Sequence, residues 1–366
     1  MNHTRRSLLG GAGLLAAGTL AGCLDDVGAA DREYETGYAA LFALYDWAEQ
    51  VGGDVMAFEN PVGTGESGHG WNPPGDLARN VADAGLFLYL DTPEFAWAQD
   101  IATTLEEDYD DVIVVDCFEG LDDRLLEWDH EGHDHDHGDE EHDDHGDEEH
   151  DDHEEDHDHD DGHDHDHEEE GHDEHDDGDH DRASVDPHAW LDPVIAEEIV
   201  ENVADGLAEA HPDEEETFRA NAEEYGAVLE EIDEQFEQLV AEANHDTVVL
   251  AGHDSFTYLE ERYGFEIHTP IGVSPQEEPD HADISETIEL IDEAGIDTIL
   301  YDAFDAPEGE YPDAVETILE GSDATDAMAL STVSGTLASW ADEGWGYREQ
   351  MEEINVPAFR EALDAQ

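Results

Sequence analysis

The sequence predicts an α/β protein of two α/β lobes with mainly parallel sheets, joined by one long interdomain helix. Three observations carry this. Short apolar runs alternate with helical patterns in two separate stretches of the chain, and the second stretch restarts the pattern of the first. Between them, from Pro212 to about Ala243, the spacing of Phe218, Tyr225, Leu229, Ile232, Phe236, Leu239 and Val240 keeps one apolar face. At 1.5 Å per residue such a helix is roughly 45 to 50 Å long, enough to cross a whole molecule.

In the first stretch, Thr36 to Tyr45 reads as a strand continued by a short helix, Asp46 to Val51, which Gly52 and Gly53 stop. Val55 to Phe58 is a second strand, and residues 60–76, crowded with Pro and Gly, are a loop. A helix over Ala78 to Ala84, a strand over Leu86 to Leu90, a helix over Phe95 to Leu105 and a strand over Val112 to Val115 follow. Beyond residue 182, Pro193 to Ala210 is helical. After the long helix come strands at Thr247 to Ala251, Glu266 to Thr269, Thr298 to Tyr301 and Ala327 to Leu330. The helices among them are Phe256 to Tyr263, Asp283 to Ala294 and Pro312 to Glu320.

Two segments stand outside this pattern. Residues 129–181 contain only Asp, Glu, His and Gly, with 31 acids, 16 histidines and six glycines. With no apolar side chain to bury, they cannot offset their ordering entropy and are expected to be disordered. Residues 1–23 read as a twin-arginine lipoprotein signal: Arg5 and Arg6 precede an apolar stretch too short and glycine-rich to span a bilayer, which ends in Leu20-Ala21-Gly22-Cys23. Cys23 is then the lipidated first residue of the mature chain. The expected organisation is 24–128 for the N-terminal lobe, 129–181 for the His-rich loop, 182–211 for the end of that lobe, 212–243 for the linking helix and 244–366 for the C-terminal lobe.

Composition narrows the partners. There are 105 acids against ten basic residues, all arginine, and removing residues 129–181 still leaves 74 acids. Such a surface excludes nucleic acid. It is the composition of a haloarchaeon-like acidic proteome, where the Debye length falls to about 3 Å at 1 M salt and self-repulsion is screened. Cys117, the other cysteine, lies in an apolar run and reads as a core thiol, so the mature chain has no disulfide framework.

Seven histidines lie outside the signal and the tract. Three stand in polar, loop-like contexts: His69 in Gly68-His69-Gly70-Trp71, His188 in Asp186-Pro187-His188-Ala189-Trp190, and His253 in Gly252-His253-Asp254-Ser255. Neutral imidazole suits Zn²⁺, and three convergent histidines with one further ligand complete a tetrahedron. Taken singly, each is more often a structural or surface residue than a ligand. His211, His245, His268 and His281 have no ligand-like neighbours, and Trp71 and Trp190 read as walls of a cleft.

The neighbourhoods add more. DPHAWLDP at 186–193, GHDSFTYLEERYG at 252–264 and GVSPQEEPD at 272–280 together resemble the solute-binding lipoproteins of zinc and manganese ABC transporters, zinc subgroup, from about Thr36 to the C-terminus. The resemblance implies two lobes linked by one rigid helix, with His69, His188 and His253 as the metal ligands and Zn²⁺ as the transported ligand. A histidine rather than a carboxylate at 253 favours zinc over manganese. It also implies an ABC permease and its ATPase as partners, a membrane anchor on Cys23, a monomer, no catalysis, and a place on the extracellular face of the cell membrane after twin-arginine export. The sequence departs from the family at the fourth ligand: where many relatives carry a late Asp, Ala329 to Gly335 holds no carboxylate. Glu66, Asp302 or a water is left to fill the position. Two other classes compete with the carrier: a zinc-dependent hydrolase, which shares the three-histidine pattern but needs a general base beside the metal and an accessible substrate pocket, and a metal-buffering lipoprotein centred on the tract.

Overall fold

The computed structural model describes residues 35–127, 185–270 and 281–365; the signal, Cys23, the His-rich tract and GVSPQEEPD lie outside them. The first sheet is entirely parallel, in the order β2-β1-β3-β4, from β1 (Thr36–Ala39), β2 (Ala57–Glu59), β3 (Leu86–Tyr89) and β4 (Ile113–Asp116). The second lobe repeats that order. Strand β5 (Thr247–Val249) pairs with β6 (Glu266–His268), and β7 (Thr298–Asp302) pairs with β8 (Asp326–Leu330), both parallel. A parallel bridge from Leu250 to Leu300, with the Ala251 N–H donating to the Leu300 carbonyl at 2.8 Å, joins the pairs as β6-β5-β7-β8. In such an order the chain reverses direction between the first and third strands, and ligands favour the carboxyl ends beside that point.

The helices follow the expected order with one shift. Helix α1 (Phe42–Gly52) begins inside the stretch expected to be strand. Phe42, Ala43, Leu44, Trp47, Ala48 and Val51 are all buried, and a helix enclosed on nearly every side reads as a continuous apolar run, which periodicity alone cannot tell from a strand. Helices α2 (Leu77–Ala84) and α3 (Ala96–Asp108) flank the first sheet, and α4 (Pro193–Ala210) is N-capped by Asp192, whose Oδ1 accepts from the Val194 N–H at 2.9 Å. The linking helix α5 (Glu215–Glu242) buries Phe218, Ala222, Tyr225, Leu229, Ile232, Phe236 and Leu239 on one face. The second lobe adds α6 (Thr257–Tyr263), α7 (His281–Ala294) and α8 (Asp313–Gly321).

The chain ends in helices that the sequence pattern left unassigned: α9 (Ala338–Glu343), α10 (Tyr347–Gln350), a π-helical turn over Met351–Asn355, and α11 (Val356–Ala362). Pro357 follows that turn and has no N–H to donate, so the widened turn accommodates it.

One apolar core runs through both lobes, from Ala39 to Leu363, with a smaller cluster around Ile291, Ile299 and Val315 behind the second sheet. Polar ties hold the lobes as well. Asp46 of α1 accepts from the Tyr347 N–H at 3.0 Å and from the Tyr225 hydroxyl at 3.2 Å, joining the first lobe, the linking helix and the C-terminal helices at one carboxylate. Trp190 donates its indole N–H to the Thr332 carbonyl at 2.8 Å, and the Tyr347 hydroxyl donates to the Trp190 carbonyl at 2.8 Å. The DPHAWLDP segment is therefore both a histidine-bearing segment and a strut between the lobes. Among the described residues no helix is long and apolar enough to cross a membrane.

Candidate metal centre

His69 lies in the loop after β2, between Gly68 (φ 83°) and Gly70 (φ 63°), two left-handed positions that suit glycine and turn the ring inward. The loop is fastened where Trp97 donates its indole N–H to the Gly68 carbonyl at 3.2 Å, and the Phe95 ring stacks on the imidazole at 4.9 Å. His188 opens a short 3-10 turn (His188–Leu191) ahead of α4 and is 1% exposed. The Asp186 carboxylate accepts from its backbone N–H at 2.9 Å and from its Nδ1 at 2.7 Å. That second bond fixes the tautomer, so Nε2 carries the lone pair. His253 follows β5; its Nε2 lies 2.7 Å from the Ser255 hydroxyl, and Asp254 turns the backbone by accepting from the Phe256 N–H at 2.8 Å.

These three rings, from three distant parts of the chain, come together. Their centroids stand 5.4 Å apart for His69 and His188, 6.1 Å for His69 and His253, and 6.0 Å for His188 and His253. Imidazoles ligating one tetrahedral Zn²⁺ through nitrogens at about 2.0 to 2.1 Å place their centroids about 5 Å apart. Among the described residues no set of three or more His, Cys, Asp or Glu already closes on a metal-sized point, in keeping with rings that stand somewhat wider than this. Closure requires a movement of about an ångström and the release of His253 Nε2 from Ser255.

The surroundings favour the neutral form of His69 and His253. Burial lowers the His69 pKa, with the neighbouring Glu94 working in the opposite direction. Burial, together with the charges of His188 and His69, pushes His253 down to about 3. Neutral imidazole is the form that binds a metal. Trp190, fully buried, leans on His188 at 5.2 Å and on Phe95 at 5.8 Å, and Trp71 packs edge-on against Trp97 at 4.7 Å. The apolar wall expected from Trp190 therefore stands directly beside the cluster, whereas Trp71 supports the loop that carries His69.

The other candidates lie elsewhere. Glu66 is exposed and folds onto its own loop, where its carboxylate accepts from the Gly63 N–H at 3.3 Å. Asp302 is buried at the end of β7, accepts from the Phe304 N–H at 3.0 Å, and has its pKa raised to about 8 by burial and by the charge of Asp305. Neither is among the carboxylates whose charge acts most on the imidazoles; those are Glu94 and Asp186. The segment after β8 is neutral as well: Ser331 is held by Asn355 and Gln350, and Val333 takes a left-handed φ of 51°, uncommon for a β-branched residue. His211 packs on Phe218, His245 donates its backbone N–H to the Leu363 carbonyl, His268 bonds Thr287, and His281 starts α7; none joins the three rings.

Glu94 is the residue that sequence reasoning missed. It sits in a 3-10 turn (Pro93–Phe95) after β3, with Oε1 3.3 Å from His69 Nδ1. The one usable signal was positional, an acid just past the carboxyl end of a parallel strand. Between the lobes there is also a cavity of about 620 Å³, lined by Phe42, Tyr45, Glu59, Thr336 and Trp345 among others, but none of the three histidines borders it. A lone ion held between ligands needs no such volume.

Comparison with known proteins agrees with this architecture. Residues 38–362 match the ZnuA family, described as zinc-uptake complex component A, periplasmic. The chain is 28% identical over 326 residues to the zinc-binding lipoprotein AdcA of Streptococcus pneumoniae, covering 88% of this chain and 55% of that one, so it spans about half the length of that relative. It is 24% identical over 324 residues to the high-affinity zinc uptake system protein ZnuA of Bacillus subtilis, covering 88% of this chain and 86% of that protein. Among solved structures, the metal-dependent lipoprotein YcdH of B. subtilis superposes with a TM-score of 0.65 at 20% identity, over 90% of this chain and 98% of that one. The Zn(II)-bound ZnuA-like domain of S. pneumoniae AdcA gives 0.64 at 21%, with the same coverage. With a match that runs from the first strand to the last helix, the chain belongs to the ZnuA family of zinc-uptake components.

Proposed function

We propose that this protein is the zinc-binding carrier of an ABC-type importer, which captures Zn²⁺ on His69, His188 and His253 and hands it to a membrane permease driven by its ATPase. The observation that carries this reading is the convergence of three imidazoles, one buried and two partly buried, with ring centroids 5.4 to 6.1 Å apart, at the junction of two lobes. Zn²⁺ is the cargo, and nitrogen donors favour it over Mn²⁺, which prefers oxygen. The names of the relatives, a zinc-binding lipoprotein and a zinc uptake protein, support the same cargo.

The chain's own groups do three things in this reading. Burial favours the unprotonated form of His69 and His253 so that they accept the ion, Asp186 fixes the tautomer of His188, and Trp190 with Phe95 excludes water from one side. Release then needs a change in ligand geometry on docking, since acid at ordinary pH does not supply it. No step of this sequence is catalytic, and the chain acts as a monomer. The twin-arginine signal and Cys23 place it on the extracellular face of the membrane by a lipid anchor, and the excess of acids over arginines suits a salt-rich exterior of the haloarchaeal kind. The parallel strands on either side of the long helix Glu215–Glu242 support the proposed domain organisation, with an N-terminal lobe over 24–128 and 182–211, a linking helix at 212–243 and a C-terminal lobe from 244.

Competition titration of the full-length protein against a chromophoric zinc chelator tests the reading. Replacement of His69, His188 or His253 singly by Ala is expected to weaken zinc at least about a hundredfold, while the same change at His211 or His281 has no effect. Equal affinity in all five variants overturns the assignment, and chelator-sensitive ester or peptide hydrolysis by the zinc form favours the hydrolase instead.

A further inference from the structure

We propose that Glu94 is the fourth ligand of the cargo ion, completing a three-nitrogen, one-oxygen site; this rests on the carrier reading above. The first support is geometric. Glu94 Oε1 stands 3.3 Å from His69 Nδ1, yet neither ring nitrogen of His69 makes a hydrogen bond among the described residues. Two atoms bound to one tetrahedral ion at 2.0 to 2.1 Å are themselves about 3.3 to 3.4 Å apart. The separation is that of two atoms bound to a common cation, and without one the two side chains face each other as an ion pair.

The second support is position. The turn Pro93–Phe95 brackets His69, with Phe95 stacked on the ring face and Glu94 at its edge. That turn is held by the Phe95 N–H on the Thr92 carbonyl at 3.1 Å. Beside it, Gln99 donates to Asp91 at 2.8 Å, and the Asp91 N–H donates to the Asp116 carboxylate at 3.0 Å. The carboxylate therefore stands on a fixed support beside His69, the ring that faces both other histidines. Rigid presentation of this kind is what a ligand requires.

The third support is charge balance and elimination. A divalent ion among three neutral imidazoles needs compensating charge close by, since an isolated buried charge is costly. Of the nearby carboxylates, Asp186 is engaged on the far nitrogen of His188, Asp254 on the Phe256 N–H, Asp302 on the Phe304 N–H, and Glu66 is turned to Gly63. The loop after β8, where many relatives carry an acid, is filled here by Ser331, Thr332, Val333 and Ser334. Glu94 restores from the opposite lobe the oxygen ligand that this loop lacks.

The test is chelator competition on full-length Glu94→Gln, Glu94→Ala and, as control, Glu66→Ala, with a zinc-bound crystal structure phased at the zinc edge and melting curves of the metal-free proteins. The expected result is a loss of affinity of about a hundredfold or more in both Glu94 variants, none in Glu66→Ala, unchanged metal-free melting temperatures, and a Glu94 oxygen within about 2.2 Å of zinc. A water or another carboxylate in the fourth position, with Glu94 beyond 3 Å, overturns the proposal even if affinity falls, because a carboxylate behind a ligand also costs 10- to 100-fold. Wild-type affinity in the Glu94 variants while His69→Ala loses zinc removes Glu94 alone. Wild-type affinity in His69→Ala as well removes the carrier reading on which it stands.

Discussion

Asp186 grips His188 twice, accepting from its backbone N–H at 2.9 Å and from its ring Nδ1 at 2.7 Å, across a single intervening proline. The same residue's carbonyl accepts from the Tyr258 hydroxyl at 2.7 Å, which in turn accepts from the Leu126 N–H at 3.0 Å. A side chain of the second lobe thus helps to hold the turn that aims a histidine of the first.

The expected consequence is that Asp186→Asn weakens zinc about 10- to 100-fold without unfolding the protein, because the amide presents an NH₂ group as readily as its oxygen and no longer fixes one tautomer. Asp186→Ala removes the backbone bond as well and is expected to lower the melting temperature in addition. Chelator competition paired with a thermal melt separates the two effects, and an Asp186→Asn variant with wild-type affinity contradicts the orienting role.

Acid is expected to strip zinc only well below the ordinary imidazole range. An exposed histidine titrates near 6.5, whereas burial lowers His69, and burial with neighbouring positive charge lowers His253 to about 3. Protons therefore compete poorly for the cleft until the pH is far under 6.5. The sign for stability follows: the unfolded chain takes up a proton on His253 below about 6.5 that the folded chain refuses down to about 3, so this group's contribution falls as pH drops through that window. His253→Asn abolishes the contribution, and its melting temperature relative to wild type is expected to rise as pH falls from about 6.5 to 4. Zinc occupancy followed by dialysis against buffered steps is expected to show a steep loss with its midpoint under pH 6; a midpoint at 6.5 shows that the rings are solvated.

Much of this site was legible because its histidines sit in polar, turn-forming contexts. Gly68 and Gly70 around His69, and the Asp-Pro ahead of His188, mark loops in which an imidazole has no packing duty. Glu94 was not legible for the opposite reason: among 105 acids one more carries no signal, and only the short turn after β3 singles it out. Glu66 and Asp302 were candidates for the fourth position, yet local N–H groups of Gly63 and Phe304 occupy them. In the fold, strands buried on both faces read cleanly, while Phe42 to Tyr45 misled because an enclosed helix has no polar face to set its period. The closing helices from Ala338 onward are short, and so gave too few turns for a period to register.

The last prediction concerns residues 129–181, which hold sixteen histidines among 31 acids and no apolar residue. Solvation in concentrated salt would account for the acids but not for the histidines, since Asp and Glu suffice for it. Imidazole beside carboxylate is a zinc-binding combination, but the tract has no apolar residue with which to build a core. Each capture must then fix chain conformation at roughly 1 to 2 kcal/mol per residue ordered, which keeps the affinity low. The high local ligand concentration still favours recapture of an ion that leaves the cleft. Deleting residues 129–181 is therefore expected to leave the tight site unchanged in chelator competition while removing several weaker equivalents from an equilibrium-dialysis isotherm. Equal total zinc stoichiometry in the deleted and intact proteins removes the capture role from the tract, and loss of the tight site on deletion moves the primary site from the three histidines to the tract itself.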